Sequence, residues 1–249
     1  MTALIVFIHG GQHTGHCWQP TQAYVNQLAQ YHGISLRTLA VNLPGRANQA
    51  GDLSKLDIEQ ATRSVLDQIE AFDSDSQNII LVGHSMAGIT LPNVAIGLGT
   101  DKVREVVFLA CCVPPQGKAV VDTLRPPISW VTALLMRNRH VSKPMPTALA
   151  KWLFTNGASA QQHQVMIDSL CSESNYLPKD TVDRSQFKGF RTRWIVTQKD
   201  RSLSPKLQQS FIKNLGGVDR IDSLNTCHNA MITEPEALAN LLLSELISP

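Results

Sequence analysis

The sequence predicts an α/β fold: a parallel sheet with helices on its faces and one mostly helical insertion. Three observations carry that expectation. Short apolar runs rich in β-branched residues recur along the chain, as strands buried on both faces require. Segments with apolar residues at helical spacing separate them. Finally, residues 78–88, N-I-I-L-V-G-H-S-M-A-G, pass from such a run into an apolar helical pattern through one glycine and one serine.

Composition bounds the rest. A chain of 249 residues is long enough for one large α/β domain, and 43% apolar with 17% charged residues supplies an ordinary core. A net charge of +2 without a basic run argues against a nucleic-acid partner. No apolar run reaches the roughly 20 residues a bilayer needs, and Met1–Ile8 is too short for a signal peptide. The five cysteines, 17, 111, 112, 171 and 227, are odd in number and lack metal-ligand spacing. Free thiols in a reducing cytoplasm, with no metal and no organic cofactor, are the expectation. The oligomeric state is left open, a homodimer included.

The elements follow in order. Ala3–Ile8 reads as a buried strand running into the glycine-rich turn H-G-G-Q-H-T-G-H-C-W, residues 9–18. Such a turn at the carboxyl end of a parallel strand is where open α/β sheets place their sites. Trp18–Tyr31 reads as a helix and Ile34–Val41 as a strand ending in the Pro-Gly turn at 43–46. Leu56–Phe72 is an amphipathic helix, Ile79–Val82 the strand before the serine, Met86–Ile96 a helical pattern, and Arg104–Ala110 a further strand. From 114 to 187 the rhythm breaks into proline-punctuated helical pieces. It resumes with Thr192–Thr197, Pro205–Leu215, Val218–Leu224 and Pro235–Ile247. We expect a single domain, 1–249, with its core in 1–113 and 188–249 and a lid in 114–187.

A serine on a sharp strand-to-helix turn is pushed out of the sheet with its hydroxyl above a helix start. This is the nucleophile elbow, with Gly83 and Ala87 small because strand and helix nearly touch there. The alternative is a plain serine N-cap. A serine hydroxyl needs a base, and the base an orienting acid. Asp200 falls just past the strand ending at Thr197, and His228 in the loop before the last helix, in the chain order Ser, Asp, His. An oxyanion hole needs the N–H after the nucleophile, that of Met86, and one from the first loop. Gly11 is the expected second donor, with Gln12 the lesser choice. His9 reads as a structural residue, and His13 and His16 as either pocket-mouth or solvated loop histidines. In the lid, Trp130, Leu134, Trp152 and Phe154, together with Gln12, are expected to line an apolar substrate pocket. The lid's surplus of basic residues, Arg125, Arg137, Arg139 and Lys143 among them, fits a solvated outer face; the alternative is that one or two arginines at the pocket rim favour esters with a carboxylate or phosphate remote from the scissile bond.

These motifs resemble the α/β-hydrolase superfamily over nearly the full length. The stretches at 9–18 and 227–231 (C-H-N-A-M) resemble the plant methylesterase and hydroxynitrile lyase group with its bacterial relatives. The resemblance implies a six-stranded, mostly parallel sheet with a helical lid at 114–187. It also implies two chemistries on one triad. Lyases of that group carry a lysine after the catalytic histidine and a threonine beside the oxyanion loop. Here those positions are Asn229 and Gly10, which favours hydrolysis of small, partly apolar carboxylic esters through an acyl-enzyme on Ser85. The alternatives are a cofactor-free lyase or oxygenase on the same residues, or a ligand-binding protein with a vestigial triad.

Overall fold

The computed structural model describes residues 2–123 and 139–247. Strand β1 (Ala3–Ile8) is buried at all six positions. A 3-10 turn (Gly15–Trp18) leads into α1 (Gln19–Tyr31), followed by β2 (Leu36–Ala40). Helix α2 (Ile58–Phe72) starts at Asp57, whose carboxylate accepts the Gln60 N–H at 2.7 Å. This is the N-cap bond that satisfies an otherwise orphaned donor. Strand β3 (Ile79–His84), a 3-10 turn (Ser85–Ile89), α3 (Leu91–Leu98) and β4 (Val103–Leu109) complete the first half.

After the insertion come β7 (Thr192–Thr197), α6 (Pro205–Leu215), β8 (Arg220–Leu224), α7 (Ala230–Thr233) and α8 (Pro235–Ile247). The insertion itself holds a two-stranded antiparallel ribbon, β5 (Val141–Ser142) with β6 (Glu173–Ser174), and between them α4 (Thr147–Phe154) and α5 (Ala160–Ser169). The main sheet is six-stranded and parallel throughout, in the order β2-β1-β3-β4-β7-β8.

Alternation along the strands explains why the runs are apolar at every position. Leu4, Val6, Ile8, Leu81, Val106, Phe108 and Trp194 face one cluster, shared with α2, α3 and α6. Ile5, Phe7, Ile80, Val82, Val107, Leu109 and Ile195 face the other, shared with α1, α7, α8 and the insertion's Ala150, Phe154 and Met166. Fully burying each such side chain contributes about 1.5–3 kcal/mol before entropy is counted.

Two local expectations change. The pattern 86–96 is not one helix: the 3-10 turn ends at Ile89, and α3 begins anew with Pro92 in its first turn. Proline lacks an N–H, so it fits a helix start but not an interior. The ribbon β5–β6 was not expected, since two-residue strands carry no readable period. Within the insertion, Lys118, Arg139 and Lys143 are exposed, as a solvated face requires. Trp130, Leu134, Arg125 and Arg137 lie outside the described residues. Among the described residues no helix is long and apolar enough to cross a membrane.

Candidate active site

The carboxyl ends of β1, β3, β7 and β8 converge on one constellation. At the end of β3, Ser85 has φ of 54°, a left-handed backbone that a side chain adopts only under constraint. The constraint is visible in the packing. A Cβ on Gly83 would sit 2.8 Å from Leu91 and 3.3 Å from the Ala87 methyl, so strand and turn do nearly touch. A Cβ on Gly88 would meet the Cys112 carbonyl at 2.5 Å. The Cys112 N–H holds the Ser85 carbonyl at 2.8 Å.

Ser85 Oγ lies 2.9 Å from Nε2 of His228, and Nδ1 of His228 lies 2.7 Å from Oδ2 of Asp200. The Nδ1 proton therefore belongs to the bond with Asp200, leaving Nε2 to accept from the serine. Asp200 is itself fixed. Oδ1 accepts the N–H groups of Ser202 and Leu203, both at 2.7 Å, and Oδ2 accepts the Thr197 hydroxyl at 2.8 Å. Burial works to raise its carboxyl, but the His228 charge and this set of donors outweigh it and leave the group below its ordinary range. Asp222, another carboxylate near the same strands, is occupied by Arg193 and Arg220.

The first loop is held peptide by peptide. His9 Nε2 accepts the Leu43 N–H at 3.1 Å, so Nδ1 carries the proton and donates to the Gly10 carbonyl at 2.9 Å. N–H and C=O point in opposite directions across a trans peptide, so the Gly11 N–H is turned away from His9. It has no acceptor among the described residues. His13 Nδ1 donates to the Gly11 carbonyl at 2.8 Å, and its Nε2 accepts from the Asn229 amide at 2.9 Å.

Both bonds of His13 need the neutral ring. Burial holds its pKa down at about 4, against the pull of the Gly11 carbonyl. Burial, then the Arg46 charge, likewise holds His9 well below the histidine range, and burial, then His228, does so for His84. His13 is 1% exposed, so it is neither a pocket-mouth nor a solvated residue.

The expected substrate-binding residues divide. Phe154 is brought to the site, its ring 5.6 Å from that of His228 and 5.4 Å from that of His13. Trp152 is instead 55% exposed, with the Arg201 guanidinium 5.3 Å over its ring. Helix α4 turns it outward while its neighbour two residues on turns in, as a helical period dictates. Gln12 is not free for substrate either. Its N–H donates to Glu173 at 2.8 Å, its carbonyl accepts from Cys171, and its side chain spans to Lys143 and Met145. That engagement also removes it as the alternative oxyanion donor.

Sequence reasoning missed His84, whose Nε2 meets the His228 carbonyl at 3.1 Å, and the pair Arg46–Glu173 beside the first loop. Adjacency to Ser85 was the one signal for His84; nothing local marks the other two. Among the described residues no group of three or more histidine, cysteine, aspartate or glutamate side chains could hold a metal ion.

With this geometry in place, comparison with known proteins is specific. The sequence profile of the alpha/beta hydrolase family matches residues 5–241. The chain belongs to that family. Among alpha/beta hydrolases it is similar to the probable esterase PIR7A of Oryza sativa, at 28% identity over 96% of this chain and 94% of the relative. An extracellular alpha/beta-hydrolase from a Paenibacillus species, described as sharing structural and functional homology with tobacco salicylic acid binding protein 2, superposes with a TM-score of 0.83. That match has 21% identity and covers 97% of this chain and 98% of the other. The methylesterase MES16 of Arabidopsis gives 0.73 at 19% identity, over 98% and 99%. The two structural likenesses speak to the fold, which is the six-stranded parallel sheet described above.

Proposed function

We propose that this alpha/beta hydrolase is a serine esterase acting on small, partly apolar carboxylic esters. Ser85 Oγ attacks the ester carbonyl as His228 Nε2 takes its proton. The tetrahedral oxyanion is held by the N–H groups of Gly11 and Met86. His228 then protonates the leaving alcohol, and the acyl-enzyme on Ser85 is hydrolysed by a water that His228 activates. Asp200 keeps the imidazole in the tautomer that the first step needs. Segment 114–187 serves as the lid, with Phe154 in the pocket wall. The observation that supports this reading best is the continuous bond path from Ser85 through His228 to Asp200, beside a Gly11 N–H left open. The naming of the rice relative as an esterase agrees with it. All five cysteines are unpaired, which supports a reducing compartment as part of the same reading.

The lyase alternative is weakened by packing. A Cβ at Gly10 would lie 2.8 Å from Ser85 Cβ, so a threonine there would push the nucleophile. Asn229 is fully buried and bonded to His13, a poor place for a lysine charge. The test is a panel of methyl and aryl esters run beside mandelonitrile. Ester turnover without cyanide release above background is expected. Cyanide release that depends on both Ser85 and His228 would reverse the ranking.

A further inference from the structure

We propose that Glu173 is a positioning residue of the oxyanion loop, reaching it from the insertion, and that Arg46 neutralises its charge there. This rests on the esterase reading above, in which Gly11 donates to the oxyanion. Glu173 is 6% exposed and Arg46 1%. The Glu173 carboxylate receives Arg46 Nη2 and the Ser174 N–H on Oε1, and the Gln12 N–H at 2.8 Å on Oε2. The Gly11–Gln12 peptide is thus gripped at both ends, its carbonyl by His13 and its N–H by Glu173.

That grip explains a backbone oddity. Gln12 has φ of 57° without being glycine, and its N–H, carbonyl and side-chain amide all bond to the insertion, at 143, 145, 171 and 173. Seating the insertion therefore sets the backbone one residue past the open Gly11 N–H. The cost is a carboxylate close to a developing anion: Oε2 comes within 3.4 Å of where a Gly11 Cβ would stand. Left alone it would oppose the oxyanion. Arg46, from the loop after β2, cancels it.

The roles are separable from mere support by measuring kcat per active site, titrated with a fluorophosphonate so that misfolded protein drops out. Wild-type labelling at Ser85 and wild-type ester turnover test the esterase reading by themselves. In Glu173→Gln, kcat per titrated site should fall about tenfold or more, a fraction of what deleting an oxyanion donor costs, while KM stays within about twofold. A boronic acid, which mimics the tetrahedral state, should lose affinity by the same factor, and the product acid should not. Arg46→Met should be worse than Glu173→Gln. The double variant Arg46→Met/Glu173→Gln should recover towards the Glu173→Gln level, because the stranded carboxylate is gone. Glu173→Asp keeps the charge balance with Arg46 and shortens the reach by one methylene, so it should fold and still lose kcat. Unchanged kcat per titrated site in both Glu173 variants would overturn the proposal. Equal weakening of the boronic and product acids would also overturn it, leaving Glu173 a fastening of the insertion and nothing more.

Discussion

Asp200 carries its argument in its partners. Four neighbours donate to it within 2.8 Å: the His228 ring, the Thr197 hydroxyl and the N–H groups of Ser202 and Leu203. Asp200→Asn should leave the loop in place but present an amide N–H or a weaker acceptor to His228 Nδ1. Turnover should fall by about 10⁴, the cost of the wrong tautomer. Near-full activity would mean another carboxylate orients the ring, although Asp222 is already bound by two arginines.

The neutral histidines make a second prediction at this scale. His9, His13 and His84 are buried and held neutral in the folded chain, yet each protonates near pH 6.5 once unfolded. Below that pH the unfolded state binds protons that the native state refuses, down to about pH 4 for His13. Stability must therefore fall as pH drops, at up to about 4 kcal/mol per pH unit for three such groups. Asp200 does not enter this window: its depressed carboxyl stabilises above its unfolded pKa, and that contribution fades only at still lower pH. A urea midpoint clearly lower at pH 5.5 than at pH 7.5 is expected; equal midpoints would show that the rings accept protons in place.

At the scale of elements, the elbow depends on clearances that one methyl would fill. Gly10→Ala places a Cβ 2.8 Å from Ser85 Cβ and 3.1 Å from the His84 carbonyl, so the β1 loop or the elbow must move. A displacement near 1 Å can cost about 10²-fold, and kcat/KM should fall on that order while the fold persists by circular dichroism. Wild-type kinetics in Gly10→Ala would show the loop to be pliant.

This scale also shows what could be read from the chain. The strands β1, β3, β4 and β7 were legible because burial on both faces leaves an apolar run at the centre of each. The meeting of Asp200 and His228 beside Ser85 was legible because strand ends fix where the loops converge. The break at Thr90 was not, since Met86 and Ile89 before it and Leu91, Val94 and Ile96 after it read as one apolar helical pattern. Nor were Arg46 and Glu173, which stand 127 residues apart in sequence. Neither stands in a motif, and only their burial together gives them meaning. Gln12 was misread for the same reason: a polar loop side chain looks free until its partners at 143 and 145 are known.

Across the whole molecule, stability and chemistry occupy opposite ends of the sheet. The site gathers at the strands' carboxyl ends, while a network of Arg193, Asp222, Arg220 and Glu245 ties β7 and β8 to α8 near their amino ends. Arg193 is fully buried, bonds Asp222 at 2.5 Å and donates to the Leu241 carbonyl at 2.7 Å. Arg193→Met leaves Asp222 with Arg220 alone and the Leu241 carbonyl without its donor, so it should destabilise by about 1–3 kcal/mol in urea unfolding. Its kcat per titrated site should be unchanged, because no element between the two ends needs to move. A loss of kcat in the folded fraction would join the network to the site.

The central claim is a covalent step on Ser85, and the most direct measurement is intact-protein mass spectrometry after rapid acid quench with an activated aryl ester. The wild type should show one added acyl group, mapped by fragmentation to the peptide bearing Ser85, at a level matching the burst of released phenol. Ser85→Ala should show neither adduct nor burst. Hydrolysis that continues in Ser85→Ala, or an acyl group mapped to any other side chain, would contradict the account.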